Sequence, residues 1–432
     1  MHIVVIGAGY VGLVTGVGLA GLADHRVTFV ETARDRLAAL RAGRMPIVEP
    51  GLGEAFGAAR DRIEVAGSLD AVRSPDVVFV AVATPISEAG DPDLRQLRAA
   101  LADLRAWSDA HVSVRSTLPP GLSSRLPALA GRPNGSRMST NPEFLRQGSA
   151  MRDFRNPSRI VVGRFPETSP EHLAVLEAVY APLEAPRLTV GVVAAELIKN
   201  VANGFLALRL SFVNEMATLA EEFGVDADEV LAGVGLDPRI GPDYLRPSLG
   251  FGGSCLPKEL QVLTVAGRRR GLPMHLARAV AQVNVEQQDR FVRRIIRDLP
   301  DGGALVGLLG LSFKADTDDL RGSPAVYVAR RLLDAGHRVR AFDPAVRPEA
   351  AVRAAPGIEV VDCAEAVLDG AHAVAIATEW PQFAELDLAA LRTRVARAVL
   401  HDGRGLLDGD AVARAGWAYR GVGRREREAA DG

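Results

Sequence analysis

The sequence predicts an α/β protein with two doubly wound parallel-sheet domains, joined by a long central helix and a helical middle domain. Short β-branched runs alternate with amphipathic helical stretches at both ends of the chain, and a long strand-free stretch with helical spacing separates them. The 432 residues suffice for two or three domains, each with its own core. We expect domains at residues 1–190, 191–299 and 300–422, and a flexible tail at 423–432.

Each domain is predicted from its own pattern. In the first domain, β-branched runs predict strands at residues 2–6, 26–30, 77–82, 111–113, 137–140 and 159–162. In the middle, apolar residues spaced by three and four predict one long helix with an apolar face, made of Val201, Phe205, Leu208, Phe212, Met216, Leu219 and Phe223. In the last domain, similar runs predict strands at 304–309, 338–342, 358–361, 372–377 and 399–400, with a helix at 323–335. The apolar face of the central helix is a natural surface for a homodimer.

Composition and charge exclude several classes of protein. The chain is 48% hydrophobic and 24% charged, which is typical of a globular protein. The net charge is −2 and the basic residues form no block beyond Arg268 to Arg270, so nothing predicts a nucleic-acid partner. No apolar stretch reaches the ~20 residues of a membrane span and no basic leader precedes the first strand, so we expect a cytoplasmic protein without membrane contact. Two cysteines cannot form a disulfide scaffold, and no metal site is predicted.

Lysine is scarce in this chain. Of 51 basic residues, only Lys199, Lys258 and Lys314 are lysines. We interpret this ratio as a genome bias that replaces lysine by arginine wherever the surface tolerates it. The three lysines are therefore candidates for positions where a planar guanidinium cannot serve.

A glycine-rich turn after the first strand, Gly7-Ala8-Gly9-Tyr10-Val11-Gly12, predicts a dinucleotide site. Its first glycine permits the tight turn, its second lets the backbone approach a pyrophosphate, and its third brings helix and strand together. The start of the helix then faces the phosphates. Glu31 ends the second strand, where a carboxylate accepts from a ribose 2′-hydroxyl and repels a 2′-phosphate, so NAD is favoured over NADP. Arg36 lies near enough to keep NADP as an alternative.

A second glycine-rich segment, Gly250 to Lys258, contains Cys255. Pro257 predicts a helix start, and a cysteine just before a helix N-terminus feels the positive end of the helix dipole, which favours the reactive thiolate. A lone cysteine is more often a small buried apolar residue, and on this segment alone that interpretation stays open. No function is assigned to Cys363.

Lys199 and Asn203 are four residues apart on the predicted central helix, so they share a face. An ammonium beside an amide can hold a water molecule or stabilise an oxyanion. The alternative is an ordinary solvated helix face.

Ordered motifs along almost the whole chain resemble the UDP-glucose/GDP-mannose dehydrogenase family. After Gly7 to Gly12 come Pro46-Ile47-Val48-Glu49-Pro50-Gly51-Leu52, Thr84-Pro85, Ser116-Thr117-Leu118-Pro119-Pro120-Gly121 and Asn141-Pro142-Glu143-Phe144-Leu145-Arg146. Then follow Lys199 to Asn203, Asn214-Glu215, Arg239-Ile240-Gly241, Gly252 to Lys258, Phe313-Lys314, Asp318 to Pro324, Phe342-Asp343-Pro344 and Asp402-Gly403-Arg404. The resemblance implies that the two α/β domains are Rossmann-like.

The resemblance also implies an activity, the NAD-dependent oxidation of the C6 alcohol of a nucleotide sugar to a carboxylate, with two NAD per turnover. In that family a cysteine thiolate captures the C6 aldehyde as a thiohemiacetal. The second oxidation then gives a thioester, and water releases the acid.

The matching motifs imply roles for individual residues. Cys255 is the expected nucleophile, Lys199 and Asn203 stabilise the oxyanion or hold the water, and Thr117 orders that water. Glu143 is a candidate base for hydrolysis, and Glu259 is a candidate partner of the same water or lysine. The expected cofactor contacts are Gly7, Gly9, Tyr10, Val11, Gly12, Glu31, Arg36, Thr84, Thr117, Lys258 and Arg321. The expected substrate contacts are Glu143, Phe144, Leu145, Lys199, Asn203, Arg239, Tyr244, Phe251, Gly252, Phe313, Lys314 and Arg404.

Three of these substrate contacts have a more specific expected role. Lys314 and Arg404 resemble the groups that hold the nucleotide diphosphate. Arg239 resembles a residue that reaches the sugar of the neighbouring subunit, which implies a homodimer through the central helix.

Two residues depart from the family's pattern. Gln147 stands where the family usually has a glutamate, so a second carboxylate near the hydrolytic water is missing. Glu259 stands where it usually has an aspartate, and a displacement of about 1 Å can cost a large factor in rate.

Several alternatives stay open. A 3-hydroxyacid-type dehydrogenase makes one hydride transfer and needs no cysteine, so Cys255 argues against it. Gln147 and Glu259 suit a catalytically weak nucleotide-sugar-binding paralogue. The substrate is open between UDP-glucose, GDP-mannose and dTDP-glucose, because the segment beginning at Arg239 resembles the UDP-glucose branch and the one beginning at Tyr244 the GDP-mannose branch.

Overall fold

The first parallel sheet begins at the N-terminus, as predicted. The computed structural model describes residues 1–73, 75–87, 91–104, 107–132 and 135–430. The strands of this sheet are β1 (His2–Ile6), β2 (Arg26–Val30), β3 (Ile63–Ala66), β4 (Val77–Val80), β5 (His111–Val114), β6 (Met138–Thr140), β7 (Ile160–Arg164) and β8 (Arg187–Gly191). They lie in the order β3-β2-β1-β4-β5-β6-β7-β8, and neighbours are parallel except β6 and β7, which are antiparallel.

Apolar side chains cover this sheet on both faces, which is why its inner strands are near-continuous apolar runs. The helices that supply them are α1 (Tyr10–Leu22), α2 (Arg34–Arg41), α3 (Leu52–Ala58), α4 (Arg95–Asp103), α5 (Leu126–Leu129), α6 (Ala150–Arg155) and α7 (Pro170–Tyr180). α1 approaches the sheet closely because Gly16 has no side chain. A Cβ atom at this position would lie only 2.4 Å from the ring of Phe29.

The middle of the chain is helical, as predicted. Its helices are α8 (Val192–Glu222), α9 (Ala227–Gly235), α10 (Leu256–Arg268) and α11 (His275–Arg297). α8 carries the predicted apolar face, and much of that face is exposed: Val201, Phe205, Phe212 and Leu219 are each about half exposed, and Phe223, just past the helix end, is 76% exposed. A large exposed apolar surface of this kind requires an explanation.

The second sheet is entirely parallel. Its strands are β9 (Leu305–Leu309), β10 (Arg338–Phe342), β11 (Glu359–Val360), β12 (Ala373–Ile376), β13 (Val399–Asp402) and β14 (Ala418–Gly421), in the order β11-β10-β9-β12-β13-β14. Its helices are α12 (Pro324–Asp334), α13 (Pro348–Ala354), α14 (Ala364–Val367), α15 (Leu388–Leu391) and α16 (Gly409–Arg414). The predicted fold class, two Rossmann-like sheets with a helical middle region, is confirmed.

The chain forms two compact units. The first contains Met1–Ala202 and Val265–Leu272, and the second contains Asn203–Thr264 and Pro273–Gly432. In the described residues, no helix combines the length and the apolar composition that a membrane span needs.

The expectation of a flexible tail from Gly423 onward was wrong for the described part of that segment. Arg427 and Tyr419 form an antiparallel bridge with backbone hydrogen bonds of 2.8 and 3.0 Å. Arg424 pairs with Asp228 at 2.8 Å, and Ala430 N–H donates to the backbone of α16. These contacts depend on how the folded chain places α9, β14 and α16, so composition alone could not predict them. Residues 431–432 of the expected tail lie outside the described residues.

Candidate active site

The glycine-rich turn between β1 and α1 has the geometry of a dinucleotide cradle. Gly7 has a φ of +94°, which favours glycine, and a Cβ atom at Gly12 would lie 1.9 Å from the carbonyl oxygen of Gly7. The backbone at Gly9 is open, because nothing lies within 4 Å of a Cβ atom placed there. No side chain caps the start of α1, so the N–H groups beside Tyr10 and Val11 suit a pyrophosphate. The residues present therefore fit the dinucleotide.

Glu31 lies directly beyond β2 and is buried. Its carboxylate accepts from Ala8 N–H at 3.2 Å and from Ala33 N–H at 2.7 Å, so it holds the turn as well as facing the site. Arg36 Nε donates to the same carboxylate at 2.9 Å. Because Arg36 is engaged in this pair, it offers less to a 2′-phosphate than an unpaired arginine would.

Lys199 and Glu143 form a buried ion pair in the first unit. Lys199 Nζ lies 3.0 Å from Glu143 Oε1, and both side chains are about 95% buried. Leu145 N–H donates to Glu143 Oε2 at 2.6 Å, and the ring of Phe144 lies 5.5 Å from Lys199 Nζ. Burial opposes ionisation of Glu143, but the Lys199 ammonium and the Leu145 N–H outweigh it and lower the pKa of this carboxyl.

Thr117 faces the same part of the first unit. It lines a small cavity, partly open to solvent, together with Lys199, Leu118, Glu196 and Asn200. The hydroxyl of Thr84 donates to the carbonyl oxygen of Thr117 at 2.6 Å, which fixes the segment from one side. The structure therefore brings four predicted site residues of this unit together: Thr84, Thr117, Glu143 and Lys199.

The residues that support this group were not predicted from the sequence. Arg115 is buried, and its guanidinium donates to Thr15 at 2.8 Å, to Tyr180 at 3.0 Å and to Asn141. Arg115 directly precedes the Thr117 motif and Asn141 opens the Glu143 motif, so this network anchors both segments. Their positions at the start of the two motifs were the available signal.

A second missed group ties the dinucleotide helix to the loop before α6. The hydroxyl of Tyr10 donates to Glu49, which is buried and also accepts from Gly148 N–H and Ala150 N–H at 2.7 Å each. Glu49 belongs to a motif that was noted without a role. Its carboxylate connects the glycine-rich turn to the segment that contains Gln147.

The second unit holds Cys255, which is exposed and directly precedes α10. The glycines before it are required by packing. A Cβ atom at Gly252 would lie 2.1 Å from the carbonyl oxygen of Gly322, and one at Gly253 would lie 2.8 Å from the ring of Phe313. The side chain of Asn284 fixes the backbone of Phe251: it accepts from Phe251 N–H at 2.8 Å and donates to the Phe251 carbonyl oxygen at 3.0 Å. The cysteine loop is thus locked against the Phe313 and Gly322 motifs.

The charged residues near this loop have different environments. Arg321 pairs with Asp319 at 2.6 Å, and the Asp319 carboxylate, followed by the Cys255 sulfur, raises the pKa of its guanidinium. Arg404 is nearly buried and donates to the carbonyl oxygens of Phe313 and Ala377 at 2.9 and 2.8 Å. Its donors therefore serve mainly to join segments of the unit.

The remaining predicted residues of the second unit are spread along it. Arg239 pairs with Asp237 at 2.6 Å and its side chain is 87% exposed. Tyr244 is half-buried, and its φ of 59° is a backbone conformation that residues other than glycine rarely adopt. Lys314 Nζ lies 5.8 Å from the Phe313 ring centroid, Lys258 is half-buried on the first turn of α10, and Glu259 is buried on the same turn. Asn203 is half-buried on α8.

Comparisons with known proteins agree along the whole chain. The sequence models of the UDP-glucose/GDP-mannose dehydrogenase family match in order: the NAD binding domain over residues 1–184, the central domain over residues 193–286 and the UDP binding domain over residues 307–409. A UDP-glucose 6-dehydrogenase of Pseudomonas aeruginosa is 38% identical, with 98% of each chain covered. The UDP-glucose 6-dehydrogenase TuaD of Bacillus subtilis is 34% identical, with 98% of this chain and 93% of that protein covered.

A solved structure supports the same assignment. A UDP-glucose dehydrogenase from the hyperthermophilic archaeon Pyrobaculum islandicum matches with a TM-score of 0.87 and 39% sequence identity, and the match covers 98% of both chains. The chain therefore belongs to the UDP-glucose/GDP-mannose dehydrogenase family and is an NAD-dependent nucleotide-sugar dehydrogenase.

Proposed function

We propose that this enzyme oxidises UDP-glucose at C6 to the glucuronate by way of a thioester on Cys255. The observation that carries the proposal is the exposed Cys255, held before α10 by a glycine loop that leaves no room for other side chains. A dehydrogenase that stops at the aldehyde needs no such thiol. The UDP binding domain match and the names of the relatives support UDP-glucose as the substrate.

The first part of the mechanism is capture of the aldehyde. The Cys255 thiolate forms a C–S bond to C6 of the aldehyde, and the carbonyl electron pair moves to oxygen. The Lys199 ammonium, with the Asn203 amide, stabilises that oxyanion and protonates it. Glu143 keeps Lys199 protonated and oriented through their ion pair of 3.0 Å.

The second part is release of the acid. Water held by Thr117 and Lys199 adds to the thioester carbonyl, the C–S bond breaks, and the thiolate returns to Cys255. We assign Glu143 mainly to holding Lys199, because an ionised carboxylate with a lowered pKa is a weak base. Bound NAD supplies the hydride acceptor in each oxidation, so the balanced reaction consumes two NAD⁺ and one water and yields the carboxylate, two NADH and three H⁺.

The cofactor and substrate residues divide between the units. We propose that Gly7, Gly9 and Gly12 cradle the pyrophosphate and that Glu31 faces the adenosine ribose. In the second unit, Lys314 binds the diphosphate, while Arg404 holds the Phe313 segment through the hydrogen bond at 2.9 Å.

We also propose a homodimer through the apolar face of α8. Its side chains are exposed over several turns, whereas a single chain in water would bury such a surface. The exposed Arg239 is free of the core and can reach a neighbouring subunit.

The substrate is tested by comparing turnover on UDP-glucose, dTDP-glucose and GDP-mannose under the same conditions. We expect the highest kcat/KM with UDP-glucose and two NADH per sugar consumed. Binding of UDP-glucose without NADH formation would instead support the weak nucleotide-sugar-binding paralogue. A higher kcat/KM on either other sugar would reassign the substrate and leave the chemistry intact.

A further inference from the structure

The segment that contains Thr117 is held on its far side by one carboxylate. Pro119 and Pro120 have no N–H groups, so the next donor along the backbone belongs to Gly121. Glu196 Oε2 accepts from that N–H at 2.8 Å, and Glu196 Oε1 accepts from Ser123 N–H at 2.7 Å. One side chain therefore satisfies two donors of this turn.

The same carboxylate belongs to the helix that carries the candidate site lysine. Glu196 lies near the start of α8, just after its first turn, and Lys199 follows three residues later on the same face. Glu196, Thr117 and Lys199 all line the same small cavity. Glu196 is 5% exposed, so solvent contributes little to holding its charge.

We propose that Glu196 is a positioning residue that joins the Gly121 turn to α8 and thereby holds Thr117 and Lys199 at one cavity. The proposal rests on the function proposed above, which places Thr117 and Lys199 at the water or oxyanion. Glu196 itself touches backbone amides and acts through these two side chains.

The charges around Glu196 make this connection depend on pH. Burial raises the pKa of Glu196 to about 7, against the opposing effect of the Gly121 and Ser123 N–H groups. On its own helix Lys199 is paired with Glu143, and from the segment after α10 the guanidinium of Arg270 approaches Gly121. Among the described residues, none forms an ion pair with Glu196 within 4.0 Å. The ionised carboxylate accepts from both N–H groups, whereas the hydroxyl oxygen of the protonated form is a poor acceptor.

The test compares the wild type with Glu196→Gln, Glu196→Asp and Leu176→Ala from about pH 6 to pH 9. Wild type must first yield two NADH per UDP-glucose, and failure at that step would count against the proposed function rather than this inference. The glutamine side chain keeps the shape but cannot accept from both N–H groups. Leu176 is buried on α7, outside the proposed site, and serves as the control for a simple loss of stability.

We expect the wild-type kcat to rise through an inflection near the pKa of about 7. Glu196→Gln should lower kcat by about tenfold at pH 8 and abolish that inflection, with the KM for UDP-glucose changed by less than about twofold. Glu196→Asp keeps the charge but reaches one N–H, so it should restore part of kcat and keep the inflection.

Two results would overturn the inference. One is an inflection near pH 7 that persists in Glu196→Gln. The other result concerns variants that lose equal thermal stability. If Glu196→Gln and Glu196→Asp then lose no more kcat than Leu176→Ala does, the loss reflects stability alone. If Glu196→Gln does not fold, Glu196→Asp decides, because wild-type kcat in that variant would also contradict the role.

Discussion

Lys199 is one of the few lysines in the chain, and the geometry around it requires a lysine. Its ammonium is buried against Glu143, with the ring of Phe144 also close. A guanidinium is wider and planar and presents its donors in a fixed fork, so it cannot replace a compact ammonium in this space. This explains why a chain with so few lysines retains one at this position.

Lys199→Arg therefore should lower kcat by at least about tenfold, while the KM for UDP-glucose changes little. The reason is that the arginine can keep the charge pair with Glu143 but moves the donor away from the reacting oxygen. Steady-state kinetics of this variant beside Arg353→Lys, an exposed control on α13, measure the effect. Wild-type kcat in Lys199→Arg would show that the compact ammonium is not needed.

At the scale of single residues, sequence patterns are informative where the signal is local. Gly7, Gly12 and Glu31 are recognisable because one short turn needs all of them. Arg115 and Glu196 were missed because their importance comes from burial and from backbone amides far along the chain, which no local pattern reveals.

At the scale of elements, the two sheets share one structural feature, a carboxylate that holds the turn after the first strand. Glu31 follows β2 and accepts from the N–H of Ala8 in the turn after β1. Asp343 follows β10 and accepts from the N–H groups of Leu311 and Ser312, in the turn after β9, at 2.8 Å each. In both units a carboxylate after the second strand thus fixes the loop after the first, which explains why an acidic residue occupies both positions.

Gly252 is expected to tolerate no side chain. In Gly252→Ala the added Cβ atom would meet the carbonyl oxygen of Gly322 at 2.1 Å, and backbone cannot yield as a flexible side chain does. We predict a loss of stability above ~2 kcal/mol and a displaced Cys255 with little activity, measured by urea unfolding and NADH formation. Gly233→Ala in α9, where nothing lies within 4 Å, should leave stability unchanged or raise it by up to ~1 kcal/mol. Equal effects of the two changes would contradict the packing argument.

A buried histidine pair between β5 and α7 predicts acid sensitivity. His111 Nδ1 and His172 Nδ1 are 3.0 Å apart, with Glu171 and Arg137 nearby. Burial, followed by repulsion from His111, lowers the pKa of His172 from 6.5 to about 3. Below pH 6.5, His172 becomes protonated in the unfolded chain but stays neutral in the folded chain. The free energy of unfolding is therefore highest above pH 6.5 and decreases as the pH falls towards 3.

His172→Phe should remove much of this acid sensitivity. Between pH 6.5 and pH 5 the wild type should lose roughly 2 kcal/mol that the variant does not lose. Urea unfolding of both proteins at several pH values measures the difference between them, which cancels the other titrating groups. A constant difference across this pH range would mean that the pair is not the cause.

At the scale of the whole molecule, the sequence predicted the fold class but missed three strands. β3, β8 and β14 are short strands at sheet edges. Most residues of β8 are exposed, and β14 is buried but consists of Ala418, Tyr419, Arg420 and Gly421, so neither has the continuous apolar run that identifies an inner strand. The pairing of Arg427 with Tyr419 was missed for a related reason, since it requires the chain to turn back onto the edge strand β14.

The exposed face of α8 predicts that the intact molecule is a dimer. Phe205→Glu with Phe212→Glu should give a monomer, because four charges across the two copies would have to be buried without partners. Light scattering after size-exclusion chromatography measures the mass. Val352→Glu, which changes an exposed apolar residue on α13, is the matched control and should leave the mass unchanged. A wild-type monomer would contradict the proposal at once.

In the proposed mechanism, Cys255 carries the sugar between two oxidations. The most direct measurement is the number of NADH formed per UDP-glucose consumed by the wild type and by Cys255→Ala, with mass spectrometry of the trapped enzyme. We predict two NADH and a covalent adduct on Cys255 in the wild type, and at most one NADH with accumulation of the aldehyde in the variant. Two NADH per sugar at the wild-type rate in Cys255→Ala would contradict the account.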